Sequence, residues 1–124
     1  MNIEFDSYKQ KLNDIKPALL GLADSLNLEG LRNDLERYHA MQEAPGFWDD
    51  PEKSQQIVVK CRQTENKLER YNKMTASWDD LMTICEMAAE EDDDSMLPEL
   101  KEGFETLSME MEACRLETLL TGKY

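Results

Sequence analysis

Apolar residues return every three or four positions along most of this chain, the period of an α-helix with one buried face. Phe5, Tyr8, Leu12, Ile15, Leu19, Leu22 and Leu26 form the first such seam and predict one helix. Pro17 lies inside it and cannot donate a backbone hydrogen bond, so a kink or local break is expected near Ile15 or Lys16. Asn27 is a good N-cap. Leu28, Leu31, Leu35, Tyr38 and Gln42 then carry the same spacing through a second helix that ends before Pro45-Gly46.

The segment from Ala44 to Glu52 reads as a connector built from Pro45, Gly46, Phe47, Trp48, Asp49 and Pro51. Pro-Gly supplies a turn, and Asp49 or Asp50 caps a helix opened by Pro51. Phe47 and Trp48 are large apolar anchors, read as a plug sealing one end of the helices rather than as a binding hot spot, because connector aromatics usually serve packing.

From Pro51 to about Glu91 neither Gly nor Pro interrupts the chain. Ile57, Cys61, Thr64, Leu68, Tyr71, Thr75, Trp78, Met82, Cys85 and Ala89 hold a heptad seam, with a second apolar row in Val58, Leu81, Ile84 and Ala88. A helix of that span is about 60 Å long, the length of a coiled-coil arm. Glu90, Glu91, Asp92, Asp93, Asp94 and Ser95 end it, since like charges on successive turns repel and Asp and Ser prefer caps to helix interiors. Pro98 is acceptable near the first turn of a last helix whose seam is Leu97, Leu100, Phe104, Leu107, Met111 and Cys114. Leu116, Leu119 and Leu120 thicken its end, and Gly122 is a plausible C-terminal cap.

The expected fold is therefore all-α: an elongated antiparallel hairpin of the long helix and a shorter partner, packed with an N-terminal helix pair into a four-helix, bundle-like single domain over residues 1–124. Pairing the arms about the aspartate turn sets the last helix against the distal half of the long one. The proximal half is left for the first two helices to cover.

Charge adds polarity to this rod. The chain carries a formal charge of -13, which repels a phosphate backbone at long range and argues against direct DNA binding. Between Lys53 and Lys73, however, six bases oppose only Glu65 and Glu69, whereas from Ala76 to Cys114 Lys101 alone opposes thirteen carboxylates. Such asymmetry suits a surface that meets different partners at its two ends, although a solvated helix face gives the same count.

Cys61, Cys85 and Cys114 are odd in number and widely spaced, and His39 has no second histidine, so neither a disulfide framework nor a zinc site is expected. All three thiols fall on apolar positions, where they behave as small hydrophobes. No stretch approaches the ~20 apolar residues of a membrane span. Gly-rich phosphate loops, HExxH, GxSxG and EF-hand spacing are all absent, and the acidic run lacks the glycine and ligand alternation of a calcium loop. The reading is a non-enzymatic docking module with no cofactor, no metal and no small-molecule substrate.

The run Pro45-Gly46-Phe47-Trp48-Asp49-Asp50-Pro51-Glu52-Lys53-Ser54-Gln55 resembles the N-terminal domain of bacterial class I peptide chain release factors. Its Trp-Asp-Asp-Pro-Glu-Lys form is similar to the type that reads UGA and UAA. The acidic turn Ala88 to Asp94 and the ending Leu116 to Tyr124 fit the same pattern, so the resemblance covers essentially the whole chain but only the first third of such a factor.

It implies a cytoplasmic role in translation termination, in which the intact factor reads the stop codon and triggers peptidyl-tRNA hydrolysis. The family's Gly-Gly-Gln and Ser-Pro-Phe motifs do not occur, and Pro17-Ala18-Leu19 is not the other type's Pro-Ala-Thr. The chain is thus expected to be a fragment lacking the codon-reading and Gly-Gly-Gln domains. The resemblance assigns this domain contact with the stalk base of the large ribosomal subunit, and makes Glu90, Glu91, Asp92, Asp93 and Asp94 candidates to meet a basic ribosomal protein. Two alternatives stand beside it: a free-standing coiled-coil adaptor or oligomerisation module, and a rescue factor for stalled ribosomes.

Overall fold

The computed structural model of the chain describes residues 3–121. Its elements are α1 (Ile3–Leu26), α2 (Leu28–Glu43), a 3-10 turn at Phe47–Asp49, α3 (Pro51–Glu91), a second 3-10 turn at Asp94–Met96, and α4 (Leu97–Thr121). No strand occurs among the described residues, and the chain is all-α with its helices packed as a bundle. The expected cap at Gly122 lies outside the described residues.

The 41 residues of α3 form a spine about 60 Å long, and every other helix packs on it. α1 and α2 run antiparallel to the spine one after the other, and their combined length matches it. The joint between them is Asn27, in the left-handed region at φ 55°, ψ 59°. Asparagine tolerates that conformation better than other side-chain-bearing residues. Its Oδ1 also accepts from the Gly30 amide at 3.2 Å, so one residue both turns the chain and caps α2. A Cβ at position 30 would fall 2.2 Å from Asn27 Nδ2, so any larger residue there would have to shift the capping amide.

The placement of α1 corrects the expectation that the first two helices together cover the proximal half of α3. The Trp78 indole nitrogen donates to the Leu12 carbonyl at 2.6 Å, and Ser25 and Leu26 share a surface hollow with Lys67, Arg70 and Cys114. Along α4, the Tyr8 and Phe104 rings meet edge to face at 5.8 Å, and Ile15 and Leu22 lie beside Met111. α1 therefore fills the groove between α3 and α4, antiparallel to the first and parallel to the second. α2 makes no contact with α4 among the described residues. The distal half is a three-helix bundle and the proximal half a two-helix hairpin.

This change in thickness explains where the α3 seam departs from the heptad expectation. Near the connector the buried positions are Ser54, Cys61 and Thr64, on one flank; further on they become Tyr71, Met74, Trp78, Leu81, Cys85 and Ala88. Thr75 and Met82 are only half-buried and Ala89 is exposed, because a helix between two neighbours turns a different stripe inward from one with a single neighbour. Pro17 does not break α1, which runs through it. Both Pro17 and Asn13, whose carbonyl loses its amide partner, are exposed, so water can satisfy that carbonyl.

Leu116, Leu119 and Leu120 do not thicken the core. They are exposed, Leu120 by 83%. The buried α4 positions are Leu100, Leu107, Met111 and Cys114.

Gln42 occupies the last seam position of α2, and its Nε2 is buried without a hydrogen-bond partner. Gln42→Met keeps the length and removes the unmet donor, so it is expected to raise the unfolding free energy by about 1–2 kcal/mol in urea titrations. A destabilised variant would mean that the amide is satisfied in solution.

Candidate functional site

Two places in this fold hold the residues singled out from the sequence, one at each end of α3. At the distal end, Glu90 and Glu91 close the last turn and are exposed. Asp92 takes the left-handed conformation at φ 52°, ψ 45°, its amide donating to the Ala89 carbonyl at 3.4 Å and the next amide, of Asp93, to Ala88 at 3.1 Å. These bonds satisfy the last carbonyls of the helix, as a left-handed cap does. The Asp93 carboxylate then accepts from the Ser95 amide at 2.9 Å and caps the turn that leads into α4. That backbone bond, with a side-chain bond from Ser95, holds the Asp93 carboxyl below its ordinary value and keeps it charged. The reversal therefore falls at the aspartate cluster, and all five acidic residues lie at one end of the rod.

At the proximal end, Gly46 at φ 80° makes the turn and Asp50 rather than Asp49 caps α3, accepting from the Lys53 amide at 3.3 Å. Pro51 is the first residue of α3. Ser54 was not anticipated. It is buried, and its hydroxyl donates toward the carbonyls of Phe47 and Asp50, the latter at 2.8 Å, which pins the connector onto the first turn of α3. Its sequence signal is its place at N4, one turn after the cap, where a small hydroxyl can fold back on the preceding loop.

The two aromatic residues of the connector differ in exposure. Phe47 is half-buried, but Trp48 is 64% exposed and only leans edge-on against Phe47, with ring centroids 4.7 Å apart.

Cys61, Cys85 and Cys114 are free and buried. Burial pushes the Cys85 and Cys114 thiols up, so both stay protonated and inert. Cys61 differs in its surroundings. Its Sγ lies 3.9 Å from a Glu65 carboxylate oxygen, and a ring nitrogen of His39 completes a group whose ligand atoms lie within 4.8 Å of one another. No helix among the described residues is long and apolar enough to cross a membrane.

Residues 31–124, from early in α2 through α4, match the PCRF domain family. The chain belongs to that family. This PCRF domain is similar to curated proteins named peptide chain release factor 2. It is 30% identical over 125 residues to that of Clostridium perfringens, covering 100% of the chain and 34% of the relative. The protein of the same name from Staphylococcus saprophyticus is 27% identical over 98% of the chain and 33% of the relative. The one from Streptomyces avermitilis is 28% identical over 93% and 31%. The chain spans about a third of the length of the curated relatives it matches. The relatives extend over α1, which lies wholly ahead of the matched family region.

Proposed function

We propose that this PCRF domain is the ribosome-docking, N-terminal module of a peptide chain release factor acting in the cytoplasm at UGA and UAA stop codons. The observation that carries the reading is similarity over the full chain to proteins named peptide chain release factor 2, on a third of their length. Peptidyl-tRNA hydrolysis and codon reading then belong to the remaining two thirds, and this domain takes no catalytic step itself. The alternative of a free-standing adaptor draws no support from these relatives.

The architecture suits docking. A stiff spine with a three-helix distal half carries Glu90, Glu91, Asp92, Asp93 and Asp94 at a distance of about 60 Å from the connector. A concentrated negative end steers and orients an encounter with a basic surface. A basic protein at the stalk base of the large subunit is the assigned target. A photo-crosslinker at Ser95 of the full-length factor, bound to ribosomes halted at UGA, is expected to label a large-subunit protein there. Labelling confined to the small subunit would defeat the assignment.

A further inference from the structure

We infer that His39, Cys61 and Glu65 form a binding site for a thiophilic divalent cation, Zn²⁺, which staples α2 to α3 in the two-helix half of the molecule. The ligands come from both arms of the hairpin. Cys61 and Glu65 stand four residues apart on α3, so both project from the same face one turn apart, and His39 reaches them from α2.

The donor set selects the metal. One thiolate, one imidazole and one carboxylate are the borderline mixture that Zn²⁺ accepts, whereas Mg²⁺ and Ca²⁺ require oxygen ligands throughout. Three protein ligands leave a fourth tetrahedral position for water. Around Zn²⁺, neighbouring ligand atoms lie about 3.5 Å apart, given metal bonds of about 2.0–2.3 Å. Cys61 Sγ and Glu65 Oε1 are already 3.9 Å apart. The remaining approach falls to His39 and Glu65, whose side chains are exposed and can change rotamer without repacking the core. Cys61 is the buried, fixed member.

In the metal-free chain the thiol donates its proton toward the Glu65 carboxylate. Zn²⁺ takes that proton's place: the Zn–S bond forms, the S–H bond breaks, and the proton leaves to solvent. No electron is transferred. The site joins the arms where, among the described residues, α2 has no contact with α4 and packs on α3. There a cross-link stiffens the rod between connector and distal bundle. This inference stands apart from the ribosomal reading, because it concerns only residues of this hairpin.

The test titrates the chain with Co²⁺ under a non-thiol reductant and follows the thiolate-to-cobalt charge-transfer band, with Zn²⁺ as competitor. One equivalent is expected to saturate the band, and Zn²⁺ to abolish it. Cys61→Ser should remove the band, while Cys85→Ser and Cys114→Ser keep it. His39→Gln and Glu65→Gln should each weaken Co²⁺ binding by about 100-fold or more, since losing a direct ligand costs at least what losing an outer-shell partner does. Helix content measured by circular dichroism separates these losses from unfolding, and both substituted side chains are exposed. Absence of a thiolate band in the native chain overturns the site. So does a band that survives Cys61→Ser, or an affinity that His39→Gln leaves unchanged, which would leave no ligand from α2 and no staple between the helices.

Discussion

Trp78→Ala is expected to remove about 3–5 kcal/mol of folding free energy. Trp78 sits where α3 meets α1, is 7% exposed, and has Lys16 standing 4.6 Å from its ring centre as a cation over its face. Truncation deletes that ring, leaves a cavity between helices that are fixed along their lengths, and frees the Leu12 carbonyl from its indole donor. The total stability of a domain this size is about 5–15 kcal/mol, so the variant should unfold at markedly lower urea.

Trp78→Phe separates the terms. It keeps most of the buried aromatic volume and loses only the indole hydrogen bond, whose acceptor still has a place in the helical ladder of α1, so a cost of about 1 kcal/mol is expected. The same variant leaves Trp48 as the sole tryptophan. Its emission should be that of an exposed indole, readily quenched by iodide. A Trp78→Ala loss below about 1 kcal/mol would contradict the packing of α1 on the distal half.

How much of this arrangement could be read in advance depended on whether the information was local. The helices and their turns rest on spacing, on Asn27, on Pro45-Gly46 and on the aspartate run, all of which act within a few residues. The seams of α1 and α4 follow their repeats through Phe5, Leu12 and Leu19, and through Leu100, Leu107 and Cys114. What was not legible is the number of neighbours each segment has. An even heptad through α3 favours Thr75, Met82 and Ala89, but a second neighbour in the distal half moves burial to Met74, Leu81 and Ala88.

The same gap explains Trp48 and the leucines ending α4, for hydrophobicity states a preference for burial and not that a partner is present. The His39, Cys61 and Glu65 group is not legible as a motif, because its members come from two helices and share no spacing within one segment. Its signal was the hairpin register: His39 and Cys61 each lie eleven residues from Asp50, so folding about the connector sets them opposite each other.

The acidic tip offers the second large effect, this time on association rather than stability. In the full-length factor, Asp92→Asn, Asp93→Asn and Asp94→Asn together should slow ribosome binding by about tenfold or more at low ionic strength, and flatten its dependence on salt. Asparagine is the replacement that isolates charge. At position 92 it tolerates the left-handed conformation, and at position 93 it can still accept from the Ser95 amide, so neither cap has to change.

Removing three like charges from a run of five lessens repulsion at the end of α3, which offsets the loss of the charged Asp93 acceptor for the Ser95 amide, so the stability of the domain should change little. Dissociation should change less than association, since exposed charges at the rim of a contact act mainly on encounter. Stopped-flow binding across a salt series reads both constants. An unaltered association rate at low salt, with the helices intact by circular dichroism, would remove the tip from the docking surface. The spine would then be a spacer that holds its partner at some other face.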